Sequence, residues 1–169
     1  NCDYAYTQSP FLLYKIQDDL PCNRKIKTPE WEIQKGYDSM NLKTRRMSHI
    51  FKEDGKALIV AMDHGTFNGA SAGLEHPGET LSQIAEGGAD AVLCNFGVAR
   101  KFAKELAPLG YIARLDLPPT YMGQGHDSRL VFDAEYALRM GADAVMVNVG
   151  QGIGVEEPTY PHLAEAIAY

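Results

Sequence analysis

Six apolar residues, Ala57-Leu-Ile-Val-Ala-Met62, run directly into Asp63-His64, and a loop rich in Gly and Asn follows as far as Glu75. A carboxylate beside an imidazole at the end of an apolar stretch is equipment for moving protons. An Asp at the mouth of an apolar barrel loses solvation of its charged form, which makes it a stronger proton acceptor. Three more polar residues follow apolar runs in the same way: Asn95 after Asp90-Ala-Val-Leu-Cys94, Asp116 after Tyr111-Ile-Ala-Arg-Leu115, and Asn148 after Ala144-Val-Met-Val147. Asp and Asn in such places also cap the next turn or bond their own backbone. That ordinary use is preferred for Asn95 and Asn148. For Asp63-His64 a chemical role is preferred, because both groups lie between an apolar run and a long loop.

The elements that must position these residues alternate. The spacing predicts a short basic amphipathic helix over 42–51, with Leu42, Met47, Ile50 and Phe51 as its apolar points. Strands are expected at 57–62, 90–94, 111–115 and 144–147, the first a continuous apolar run of the kind that is buried on both faces in a parallel sheet. Helices are expected at 77–86, 98–106, 130–140 and 160–168, the first with Leu81, Ile84 and Ala85 inward and Gly87-Gly88 as its stop. Strand–helix alternation implies a parallel sheet with right-handed crossovers. In such folds the active site lies at the C-terminal ends of the strands, which is where Asp63, Asn95, Asp116 and Asn148 fall.

Gly88-Ala-Asp-Ala-Val92 recurs unchanged as Gly141-Ala-Asp-Ala-Val145, and each copy leads to an Asn. The offset corresponds to two βα units of barrel size, and strands two apart share an interior layer in a barrel. A doubly wound sheet is the competing architecture. Asp63-His-Gly-Thr-Phe-Asn-Gly69 lacks the G-x-G-x-x-G pattern of its nucleotide-binding turn, which favours the barrel.

The net charge of -6 argues against a nucleic-acid partner, since phosphate binding needs a basic surface. No apolar run approaches the length of about 20 residues that crosses a bilayer, so no membrane partner is expected. Cys2, Cys22 and Cys94 share no metal-ligand spacing and no paired framework, which suggests a reducing cytoplasm. Cys94 is expected to be a small buried hydrophobe. Residues 1–39 hold the only Trp, Trp31, and keep no helical or strand period. Lys35-Gly36 is encoded by a purine run like a ribosome-binding site, about nine nucleotides before the Met40 codon. Residues 1–39 are therefore expected to be a non-native or disordered leader, and 40–169 the N-terminal half of a barrel domain.

Ile59-Val-Ala-Met-Asp-His-Gly65, followed by Asn68-Gly69 and Gly73-Leu-Glu75, resembles the archaeal-type class I fructose-bisphosphate aldolase family. Arg46 to Phe51, Glu86-Gly-Gly-Ala-Asp-Ala-Val-Leu93 and Ala137-Leu-Arg-Met-Gly-Ala-Asp-Ala-Val145 fit it too, so the resemblance covers about residues 42–169. The family includes aminodideoxyheptulosonate synthase and a thiolase that degrades a phosphorylated quorum signal. The resemblance implies an α/β fold, a (β/α)8 TIM barrel of which about the first four βα units are present. It implies a lysine that forms a Schiff base with a phosphorylated sugar or ketone, no cofactor, no metal, and a homo-oligomer at full length.

By the same resemblance Asp63 contacts substrate and shuttles protons, while His64, Gly65, Thr66 and Phe67 line the substrate pocket. The family's Schiff-base lysine lies on strand six, its catalytic tyrosine near strand five, and its phosphate-binding glycines after strands seven and eight. Lys52, Lys56, Lys101 and Lys104 are expected on solvated turns and helices, and the 169-residue chain alone is expected to be inactive. Two rivals stay open. His64, His76 and His126 could belong to a zinc-dependent class II aldolase, although their spacing is loose for a metal site. A non-catalytic binding or assembly subunit is the reading from another class.

Overall fold

The computed structural model describes residues 42–69, 71–117, 120, 129–152 and 156–168. The apolar runs form β1 (Ile59–Ala61), β2 (Ala91–Cys94), β3 (Gly110–Arg114) and, later in the chain, β6 (Ala144–Met146). These four make one parallel sheet in the order β1-β2-β3-β6, with no reversal. Consecutive parallel neighbours are what successive units of a (β/α)8 barrel require, and a doubly wound sheet would have reversed its order. Asp63 and Asn148 follow the same end of this sheet. β1, β2 and β6 are shorter than their expected runs by one to three residues, because residues at the run ends leave the ladder, and β3 keeps its length but starts one residue earlier.

The helices are α1 (Leu42–Ile50), α2 (Pro77–Glu86), α3 (Phe96–Lys101), α4 (Ala103–Leu106), α5 (Ala134–Arg139) and α6 (Glu156–Ile167). The single helix expected at 98–106 is two. It starts early because the Asn95 side chain caps it, accepting the Val98 N–H at 3.0 Å, and it breaks at Phe102. The helix expected at 130–140 starts late, at the Asp133 cap, whose carboxylate accepts the Tyr136 N–H at 2.6 Å. Leu130 instead joins a two-residue antiparallel ladder, β4 (Asp116–Leu117) with β5 (Arg129–Leu130), which the sequence did not suggest. The last helix begins at Glu156, four residues before its expected start, and runs through Pro161.

Alternation along the strands sorts two faces. Met62, Val92, Cys94, Tyr111, Ala113 and Leu115 point to the helices and pack with Leu81, Phe96, Ala99, Leu106, Ala134 and Ala137 in one core. Cys94 is free and fully buried there, as expected of a small hydrophobe. Ile84 and Ala85 pack partly buried against the same core. The opposite face carries Ile59, Ala61, Leu93, Ile112, Ala144 and Met146, with Ala61, Leu93, Ile112 and Ala144 aligned across all four strands.

The repeated pentapeptides act at the N-terminal ends of the strands. Gly88 and Gly141 both take φ +81°, a left-handed turn that only glycine adopts cheaply. Asp90 then accepts the Leu58 N–H at 2.7 Å, and Asp143 accepts the Tyr111 N–H at 2.9 Å. The second oxygen of each meets a basic group at or just beyond the end of α1: Lys52 to Asp90 at 3.4 Å, His49 to Asp143 at 2.6 Å. α1 crosses the start of β3 so closely that a Cβ on Gly110 would lie 2.8 Å from the His49 carbonyl. Among its described side chains Ile50, in the last turn, is buried, whereas Met47 and the following Phe51, expected as apolar points, are exposed. The leader expectation for residues 1–39 lies outside the described residues.

Candidate active site

At the C-terminal end of the sheet the chain changes character. β1 passes through Met62, whose N–H still bonds Leu93 at 2.7 Å, and then winds into one 3-10 turn, Asp63–Thr66. The turn is closed by the Thr66 hydroxyl on the Asp63 carbonyl and by the Phe67 and Asn68 N–H groups on the His64 carbonyl, at 3.1 and 2.8 Å. This winding holds the Asp63 side chain over the non-helix face of the sheet, two residues beyond Ala61.

There it meets Arg114, the last residue of β3. Arg114 is aligned with Met146 on β6, and the same ladder carried on by two residues puts Asp63, Asn95 and Arg114 in one layer above Ala61, Leu93 and Ile112. The Arg114 Nη1 donates to Asp63 Oδ2, and its Nε donates to Asp116 Oδ1 at 2.9 Å. All three side chains are buried, none more than 4% exposed. The other oxygen of Asp116 accepts the Asn148 N–H at 3.0 Å, which ties the end of β6 to the same cluster. Charges this deep are tolerated only when paired and hydrogen-bonded. One donor is left over: Arg114 Nη2 is buried and has no hydrogen-bond partner among the described residues. Asp63 is thus not alone in an apolar mouth, as its sequence context suggested; a buried guanidinium neutralises it.

The other candidates fall around this cluster unequally. The Phe67 ring lies under the guanidinium, 5.6 Å from its carbon to the ring centroid, and the His64 ring is 5.6 Å from that of Phe67. His64 Nδ1 stands 4.0 Å from Asp63 Oδ1, too far for a hydrogen bond. Thr66 spends its hydroxyl on the turn, and Gly65 is exposed with open space where a side chain would go. Asn95 serves as a helix cap, the use preferred for it. Asn148 is exposed and contributes its backbone N–H rather than a capping side chain. Burial, followed by the negative charge of Asp63, pushes the Cys94 thiol up to about 12, so it stays protonated on the far side of β2.

Arg114 is the residue of this cluster that sequence reasoning passed over. Its signal was present: one arginine inside the apolar strand Tyr111-Ile-Ala-Arg-Leu115. A charge at an inward strand position must have a partner, and the carboxylates at neighbouring strand ends were already marked. Among the described residues, Lys52 and Lys56 stand on turns and Lys101 and Lys104 on α3 and α4. No group of three or more His, Cys, Asp or Glu placed to hold a metal occurs among the described residues, and His126 lies outside them.

A model of the DeoC/LacD family aldolases matches residues 57–157. Among curated relatives, the 2-amino-3,7-dideoxy-D-threo-hept-6-ulosonate synthase of Halobacterium salinarum is 34% identical over 126 residues, covering 75% of this chain and 47% of that protein. Synthase 1 of the same name from Archaeoglobus fulgidus is 34% identical over 116 residues, covering 68% and 43%. An archaeal fructose 1,6-bisphosphate aldolase of known structure superposes with a TM-score of 0.62 at 28% identity, covering 72% of this chain and 50% of that one. A second, with its catalytic Lys covalently bound to the carbinolamine intermediate of the substrate, gives 0.61 at the same identity and coverage. The chain spans less than half the length of these curated relatives and half that of the solved chains.

Proposed function

This chain belongs to the DeoC/LacD aldolase family, and on that premise we propose that it supplies the Asp63 side of a Schiff-base, class I aldolase acting on a phosphorylated ketose of the fructose-bisphosphate kind. The observation that carries the reading is the buried Asp63 at the C-terminal end of β1, held by Arg114 beside the Asp63–Thr66 turn. An amine condenses with the substrate carbonyl and expels water. The resulting iminium draws in the electron pair of the adjacent C–C bond as that bond breaks, and the proton of the neighbouring hydroxyl leaves to a base. Asp63 accepts or returns such a proton; His64 and Phe67 shape the wall beside it, with Gly65 and Thr66 completing the loop. The amine is expected outside the described residues, because the described lysines Lys43, Lys52, Lys56, Lys101 and Lys104 stand on turns and helices rather than on the strands that lead to Asp63. We place the protein in the cytoplasm, as a homo-oligomer; among the described residues no helix is long and apolar enough to cross a membrane.

A second reading, aminodideoxyheptulosonate synthase chemistry, is favoured by the names of the two relatives at 34% identity. Both readings share the iminium. Borohydride reduction of the full-length enzyme with dihydroxyacetone phosphate should leave a stoichiometric covalent adduct, seen by mass spectrometry, on a lysine other than those five. No adduct, together with loss of turnover on chelation, would overturn the Schiff-base reading in favour of a metal-dependent aldolase. Turnover of fructose 1,6-bisphosphate separates the first reading from the second.

A further inference from the structure

A guanidinium is planar, and its three nitrogens stand at the corners of a triangle. In Arg114 two corners are used, Nε on Asp116 and Nη1 on Asp63, on opposite flanks. The third, Nη2, is buried without a partner among the described residues. Arginine cannot lose its proton to relieve this, and a desolvated donor left unpaired is unfavourable. The Phe67 ring lies beside the group, its centroid 5.6 Å from the guanidinium carbon, so Nη2 can be met along its own N–H directions.

The acceptor can be specified by charge. Two carboxylates flank the one guanidinium, and each would repel a phosphate oxygen brought to Nη2. A neutral hydroxyl suits it better. Its oxygen accepts from Nη2, and its hydrogen can be given to Asp63 Oδ1, the carboxylate oxygen that Arg114 does not hold. We propose that Arg114 is a specificity-determining residue that reads one hydroxyl of a polyhydroxylated substrate through Nη2, leaving the substrate phosphates to bind elsewhere. The proposal rests on the ketose reading above and names the part of the substrate that this end of the sheet recognises.

The test uses full-length enzyme and probes with no carbonyl to react: hexitol 1,6-bisphosphate and its three derivatives lacking the hydroxyl at C3, C4 or C5, titrated calorimetrically. In the wild type, one derivative should bind about tenfold to hundredfold more weakly than the parent, the range for a hydrogen bond to a charged group. In Arg114→Lys, which keeps the charge and loses the third corner, the parent should weaken to the level of that derivative and the four should bind alike. Equal binding of all four by the wild type, or an equal weakening of all four by Arg114→Lys, overturns the proposal. Should Arg114→Lys fail to fold, NMR of wild-type enzyme labelled with 15N-arginine decides. The Nη resonance should move with the parent and stay in place with the one derivative; the same response to both overturns the reading. Failed borohydride trapping removes the aldolase reading alone, since hexitol binding asks nothing of the amine.

Discussion

The two ends of the parallel sheet are both held by aspartates, and they hold it differently. At the N-terminal end, Asp90 and Asp143 come from an identical pentapeptide and make the same kind of bond, Asp90 to the Leu58 N–H just before β1 and Asp143 to the Tyr111 N–H near the start of β3. Their second oxygens face partly exposed Lys52 and His49. At the C-terminal end, Asp63 and Asp116 come from unlike sequences and converge on a single buried side chain. A repeated carboxylate spent on backbone secures register. Unrelated carboxylates gathered on one guanidinium concentrate charge at the strand ends where barrel enzymes in general carry their sites. The same residue type thus secures backbone at one end and gathers buried charge at the other.

That division can be broken or sharpened by substitution. The largest effect is expected at Asp63. Asp63→Asn should leave the fold intact, because Asp116 still balances Arg114, yet slow turnover of the full-length enzyme by about a hundredfold or more, the scale of general acid–base catalysis. Steady-state kinetics with thermal melts check this, and unchanged turnover would erase the distinction between the ends. Next come Asp90→Ala and Asp143→Ala. Each strands a backbone donor, so each should lower unfolding free energy by about 1–3 kcal/mol in denaturant titrations while leaving kcat/KM in place. A catalytic defect from either, in protein that melts normally, would contradict the assignment. The smallest effect separates the two copies of the repeat. Val92 is 0% exposed and Val145 36% exposed. Val92→Ala should cost about 2 kcal/mol and Val145→Ala less than about 1 kcal/mol, from the apolar area each removes. Equal losses would mean that position in the sheet does not govern the repeat.

Why some of this was readable in the sequence follows from range. The strands announce themselves because a strand buried on both faces has to be apolar throughout, and Ala91 to Cys94 is buried at every position. Asn95 as a cap is a bond across three residues, visible in order along the chain. The β4–β5 ladder joins segments of two residues each, too short for any period to register. Phe102 breaks a helix that continuous amphipathic spacing would have carried through to Leu106. Asp63 stood out by position alone, at the junction of apolar run and loop. Its partner is 51 residues away, and no local pattern connects them. The pair becomes legible only once the strands are laid side by side, when a lone arginine inside an apolar strand demands a carboxylate within reach.

Asp63 follows β1 and Arg114 ends β3, so their ion pair passes over β2 without engaging it. In a sheet that curls toward closure, such a link is a chord drawn across an arc. Flattening the arc stretches the chord and tighter curling compresses it, while the neighbouring ladders absorb little of either. The pair is therefore a gauge of curvature, and the carboxylate at one end of the gauge is the one assigned to proton transfer. A change in how the sheet curls would alter the spacing of Asp63 and Arg114 directly.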